Sequence, residues 1–153
     1  MTVQHVLAPL DLSTYAEQAL DYAIAQAQQL QARVTLLHVI QPPSTVNVEG
    51  SPGLSVTFVD DLEAAVRRAM EASLTRVTTA GLKGEMIVVH GVPFHEILDT
   101  AEAQQVDLIV MGTHGRTGLL HVLLGSVTER VVRLASCPVL VVRSRTRNAP
   151  AAG

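Results

Sequence analysis

Asp107-Leu108-Ile109-Val110-Met111, running into Gly112-Thr113-His114-Gly115-Arg116-Thr117-Gly118 and resuming at Gly125-Ser126-Val127-Thr128, decides how this chain folds. The stretch ending at Met111 is short and almost continuously apolar, as expected of a strand buried on both faces. Glycines crowd the segment behind it, and a helical pattern through Val127, Val131 and Leu134 follows. Written as spacing, the segment is Gly-x2-Gly-x9-Gly-Ser. Glycines let a backbone approach a ligand closely, and successive exposed N–H groups form a nest for an anion. Gly125-Ser126 falls where the next helix begins, so its unpaired N–H groups and positive dipole end suit a phosphate, with the Ser126 and Thr128 hydroxyls as further donors. A lone Gly-x2-Gly usually only makes a turn. Here it stands between a buried strand and a helix start, which favours the phosphate reading.

The same strand–turn–helix unit recurs on either side. Residues 3–10 form an apolar run ending in Pro9-Leu10-Asp11. Thr14 and Glu17 have capping-box spacing, and Ala16, Ala19, Leu20, Ala23, Ala27 and Leu30 follow with helical period. Residues 34–40 predict a second strand, and residues 41–53, rich in Pro, Ser and Gly, predict a long loop. Leu62, Val66, Ala69, Ser73 and Val77 predict a helix that Gly81 closes. Residues 86–90 predict a third strand, Gly91-Val92-Pro93 a helix start, and residues 138–143 a fifth strand.

Strands alternating with helices imply right-handed crossovers and a parallel sheet. The expected fold is α/β: one doubly wound five-stranded parallel sheet of order 3-2-1-4-5, with helices on both faces. Ligands of such sheets bind beyond the carboxyl ends of the strands, where the order reverses. That point lies between strand one, ending in Pro9-Leu10-Asp11, and strand four, ending in Met111-Gly112.

Composition narrows the function. The chain has 153 residues, 48% hydrophobic and 16% charged, with no Trp and net charge -3. One domain over residues 1–145 and a flexible tail over residues 146–153 are expected. A basic stripe for nucleic acid is missing, apart from Arg143, Arg145 and Arg147 near the end. No run approaches the ~20 apolar residues of a membrane span. The first residues carry no basic, apolar leader pattern, and the single Cys137 cannot form an internal disulfide, so a reducing cytoplasmic setting is expected. Neither nucleic acid nor membrane is an expected partner.

Other chemistries fit less well. The one lysine, Lys83, lies in a turn and no Gly-Lys-Ser/Thr occurs, which disfavours a Walker-type NTPase. His38, His90 and His114 fall at or just beyond strand ends but lack metal-ligand spacing, so no dedicated metal site is expected; a Mg²⁺ ion would instead ride on nucleotide phosphates. Asp11 has three readings: ligand contact, helix cap, or general base. Arg116 either clamps a phosphate or is simply solvated. Cys137, with no basic neighbour beside it, reads as packing and not as a reactive thiol.

The completed Gly-x2-Gly-x9-Gly-Ser motif resembles that of the ATP-binding branch of the universal stress protein family. His5-Val6-Leu7-Ala8-Pro9-Leu10-Asp11, Leu36-Leu37-His38-Val39 and Cys137-Pro138-Val139-Leu140-Val141-Val142 resemble that family's first, second and last strands. The resemblance extends from Val3 to Arg143 and implies an adenine nucleotide alpha hydrolase-like fold with bound ATP. It also implies nucleoside contacts from Pro9, Asp11 and the Val39 backbone. Ribose and phosphate contacts would come from Met111, Gly112, Thr113, His114, Gly115, Arg116, Thr117, Gly118, Gly125, Ser126, Val127 and Thr128. A homodimer through the last strand is implied as well. The function so implied is an ATP-binding stress-response regulator, a nucleotide-dependent sensor or scaffold. A slow ATPase or a phosphoryl or nucleotidyl transferase is the alternative. No catalytic residue is assigned, because no base, catalytic lysine or arginine finger stands out.

Overall fold

In the computed structural model, which describes residues 2–42, 56–113 and 124–144, strands and helices alternate along the chain. They are β1 (His5–Pro9), α1 (Thr14–Leu30), β2 (Arg33–Ile40), α2 (Val56–Thr79), β3 (Gly84–His90), α3 (Pro93–Ala103), β4 (Leu108–Gly112), α4 (Ser126–Leu134) and β5 (Val139–Val142). The strands form one parallel sheet in the order β3-β2-β1-β4-β5, the order expected of the fold class. The expected tail, residues 146–153, lies outside the described residues, as does most of the expected loop after β2.

Strand residues alternate between the two faces of the sheet, and each face carries its own core. Val6, Ala8, Val34 and Leu36 pack with α1 and α2 against Ala19, Leu20, Ala23, Met70 and Val77. Leu7, Leu37 and Ile109 face α3 and α4 and meet Ile97, Ala101 and Val131. The alanine stripe of α1 lets that helix lie close on the central strands. Gly81, at φ +81, follows α2 in the left-handed turn that ends it.

Several local expectations shift. The N-cap of α1 is Ser13, not Thr14: the Ser13 hydroxyl accepts from the Ala16 N–H at 3.2 Å. Glu17 is therefore one residue past the capping-box position and pairs with Arg76 of α2 instead. The buried stripe of α2 runs through Val66, Met70, Ser73 and Val77, while Ala69 is exposed. Leu30 and Leu134 had helical spacing but are exposed as the last residues of α1 and α4, and Leu62 of α2 is exposed where it borders a cavity.

At the amino end of the sheet, His5 is buried across three strands. Its Nδ1–H donates to the Gln104 carbonyl at 3.1 Å, and the Thr35 hydroxyl stands 2.7 Å from both His5 Nε2 and Glu85 Oε1. Burial, helped by Arg33, holds the His5 pKa below its usual value, against the opposing pull of the Gln104 carbonyl, Glu85 and Asp107. A lowered native pKa means that the unfolded chain binds the proton first. The contribution of His5 is thus complete above about pH 6.5 and lost as pH falls below it. Urea unfolding at pH 7.5 and 5.5 should show a lower midpoint at 5.5, and His5→Gln should shrink that difference. An unchanged difference would assign the acid sensitivity to other groups.

Candidate functional site

Parallel βα units bring every strand's carboxyl end and every helix's amino end to one edge of the sheet. A cavity of about 420 Å³ opens there. Its walls come from the ends of β1 (Pro9, Leu10, Asp11), β2 (Leu37 through Gln41) and β4 (Met111, Gly112). The first turns of α1, α3 and α4 add Ala16, Pro93 and Gly125 to Thr128, and α2 adds Leu62 and Val66. The crevice lies at the β1/β4 reversal, where an open sheet of this order is expected to bind.

The β2 wall combines apolar side chains with His38, Gln41 and an open stretch of backbone. Arg33 N–H bonds to Gln4 and the Leu37 carbonyl accepts Leu10 N–H, so odd residues of β2 face β1. Val34 and Ile40 bond across to Lys83 and Gly91, so even residues face β3. Val39 has the β1-facing phase, but β1 has already ended. Neither the Leu10 carbonyl nor the Leu12 N–H makes a backbone bond to it. Its N–H and C=O therefore form an adjacent donor and acceptor at the cavity wall.

The opposite wall is the start of α4. The first intrahelical bond there is Glu129 N–H to Gly125 O at 2.9 Å, which leaves the Ser126, Val127 and Thr128 N–H groups ahead of the ladder. The positive end of the helix dipole points the same way. Between the walls, Asp11 Oδ1 accepts from the Ser13 N–H at 3.0 Å and from the Ser13 hydroxyl. Asp11 thus lines the cavity and braces the cap residue Ser13, but it does not itself cap α1. Its turn is tight, with Leu12 at φ +63.

Of the residues expected at the site, Pro9, Asp11, Val39, Met111, Gly112, Gly125, Ser126, Val127 and Thr128 line this one cavity. Two differ in role from expectation. Thr128 is buried and gives its hydroxyl proton to the Gly112 carbonyl at 2.8 Å, so it ties α4 to β4 and is not a free donor to an anion. Thr113 is buried outside the cavity wall, with its N–H on Val142 and its carbonyl taking Gly125 N–H at 2.7 Å. Its β5-facing phase fastens the end of β4 to β5 and to the start of α4. His114, Gly115, Arg116, Thr117 and Gly118 lie outside the described residues.

Among the wall residues not assigned to the site from sequence are His38, Gln41, Leu62, Val66 and Pro93. Leu62 and Val66 looked like ordinary helix stripe, and His38 was weighed as a metal ligand and as part of the second-strand resemblance, with no contact of its own assigned. Among the described residues, no group of three or more His, Cys, Asp or Glu is arranged to hold a metal. No described helix is long and apolar enough to cross a membrane.

An open parallel sheet, a crevice at its switch point and a helix amino end aimed into it define an α/β protein of the doubly wound class. The chain belongs to the universal stress protein family, whose model matches residues 2–143. It is 34% identical over 144 residues to universal stress protein YxiE of Bacillus subtilis, covering 90% of this chain and 97% of that one. It is 35% identical over 153 residues to universal stress protein MJ0577 of Methanocaldococcus jannaschii, covering 92% and 94%. The solved structure of MJ0577 superposes with a TM-score of 0.79 over 95% of this chain and 99% of that one, at 36% identity. UspA of Lactobacillus plantarum gives a TM-score of 0.80 at 30% identity, covering 94% and 99%.

Proposed function

We propose that this protein binds ATP in the switch-point crevice and acts as a nucleotide-dependent regulator, a sensor or scaffold. The observation that carries the reading is the pairing of two walls. Val39 offers an N–H beside a C=O, which matches adenine, where a ring acceptor adjoins an exocyclic amine. Across the crevice, the first turn of α4 offers N–H groups not consumed by its helix, which suits phosphate. Asp11 stands between them and accepts a ribose hydroxyl, while the glycine-rich residues 112–118 and Ser126 complete the phosphate cradle. A Mg²⁺ ion accompanying the phosphates would keep most of its waters and need few protein ligands.

Binding without rapid turnover is favoured by what surrounds the crevice. Asp11 already takes the Ser13 hydroxyl, and Lys83 precedes β3 at the far end of the sheet. Burial pushes the Cys137 thiol pKa up, as for a packing residue and not a nucleophile. Two copies associate through β5 in this reading.

Calorimetric titration tests the ligand. ATP is expected to bind more tightly than AMP, and AMP more tightly than adenosine, because each lost phosphate removes charge-assisted hydrogen bonds. Equal affinities for ATP and adenosine would remove the phosphate cradle from the site.

A further inference from the structure

His38 is 4% exposed, an unusual place for an imidazole, and it lines the cavity from β2. Its ring reaches across to β1, where Nδ1 stands 2.7 Å from the Leu10 carbonyl. A carbonyl can only accept, so Nδ1 carries the hydrogen. The same Leu10 gives its N–H to the Leu37 carbonyl at 2.8 Å. Its peptide groups are therefore held on both sides, immediately before the Asp11 turn.

The Leu10 carbonyl has another natural claimant. In an unbroken parallel ladder, a residue's N–H and C=O bond to two residues that flank its partner on the neighbouring strand. Leu37 follows this rule with Leu10 N–H, and Val39 is the next β2 residue of that phase. Continued by one step, the ladder would place the Val39 N–H on the Leu10 carbonyl. The structure has the His38 ring donor there and no Val39–Leu10 backbone bond.

We propose that His38 is a positioning residue for the nucleobase. By occupying the Leu10 carbonyl it keeps the Val39 N–H available to a ring nitrogen of the ligand, and it holds the turn that presents Asp11. The proposal rests on the adenine reading of the crevice, but half of its test needs no nucleotide.

In the ligand-free protein, Val39 N–H should exchange with solvent deuterium without protection. In His38→Leu the uncapped Leu10 carbonyl should capture that N–H and slow its exchange at least about tenfold. His38→Leu should bind ATP about tenfold more weakly, the effect of one lost hydrogen bond. AMP and adenosine should weaken by the same factor, since the damage is at the base end. An ATP analogue with carbon in place of adenine N1 should bind His38→Leu and wild type equally. His38→Asn, whose amide N–H takes the place of Nδ1–H, should restore both ATP affinity and fast Val39 exchange. His38→Gln, which places its donor where Nε2 lies, should restore neither.

Three results would overturn the proposal. One is a protected Val39 N–H in wild type. Another is a His38→Leu protein with native circular dichroism, unprotected Val39 and wild-type ATP affinity. The third is a folded His38→Asn protein that behaves as His38→Leu does. If wild type binds no ATP, the nucleotide reading falls by itself, and the exchange measurement alone upholds or overturns the action of His38 on Val39.

Discussion

Gly125→Val is expected to weaken ATP binding about a hundredfold or more while the far-UV circular dichroism spectrum stays native. Gly125 sits at φ -66 and ψ 157 as the N-cap of α4, an extended conformation open to any residue. The backbone angle is therefore not what calls for glycine. What distinguishes the position is a bare Cα beside the open N–H groups of Ser126, Val127 and Thr128. A branched side chain there shields the donors that a phosphate must reach. Two charge-assisted hydrogen bonds at about 1.5–3 kcal/mol each account for a loss of that size. The fold should survive, since the Gly125 N–H keeps its bond to the Thr113 carbonyl and a poorer N-cap costs only about 1 kcal/mol. Gly115→Val, placed by motif spacing alone, should behave alike. Normal ATP binding by Gly125→Val would move the phosphate site away from α4.

The parts legible in the sequence are those written in local pattern. Short continuous apolar runs and period-3.6 patterns located the nine described elements, the alternation of strand and helix gave a parallel sheet, and the strand order followed from the fold class. Pro93 at the start of α3 and Gly81 after α2 marked boundaries through backbone chemistry that is local to each residue. Helix ends were less legible. Thr14 and Ser13 are both good caps, and only the bond from Ala16 N–H decides between them. The α4 wall was legible as a phosphate candidate because glycine spacing is a sequence property. The wall at the end of β2 entered only through the family resemblance, because its open backbone depends on where β1 stops relative to β2. Val39 acquires an open donor and acceptor through register, and His38 reaches the Leu10 carbonyl across 28 residues of chain. Thr128 shows the same limit in reverse: its hydroxyl is free in the sequence and taken by Gly112 in the fold.

Val141→Pro is expected to convert a two-fold dimer into a folded monomer. β5 is an edge strand, and its four residues are all apolar. The carbonyls of Pro138 and Val142 accept from Ile109 and Thr113, so even residues of β5 bond to β4 and odd residues face the open edge. An uncovered edge of this kind invites pairing with another strand. A second β5 related by a two-fold axis would satisfy it in both copies at once. Val132 and Leu134 of α4, the helix just before β5, are also exposed apolar residues, at 45% and 57%. Proline at 141 removes an outward N–H that the monomer's own sheet does not use, so the fold should persist. Leu140→Pro makes the contrast, because its N–H has the phase that faces β4 and its loss should damage the monomer itself. Light scattering at micromolar concentration should give wild type twice the 16.3 kDa of one chain, and Val141→Pro close to one chain's mass. A Val141→Pro protein that stays dimeric and folded would move the interface to another surface, and a wild type at the mass of one chain would remove the dimer.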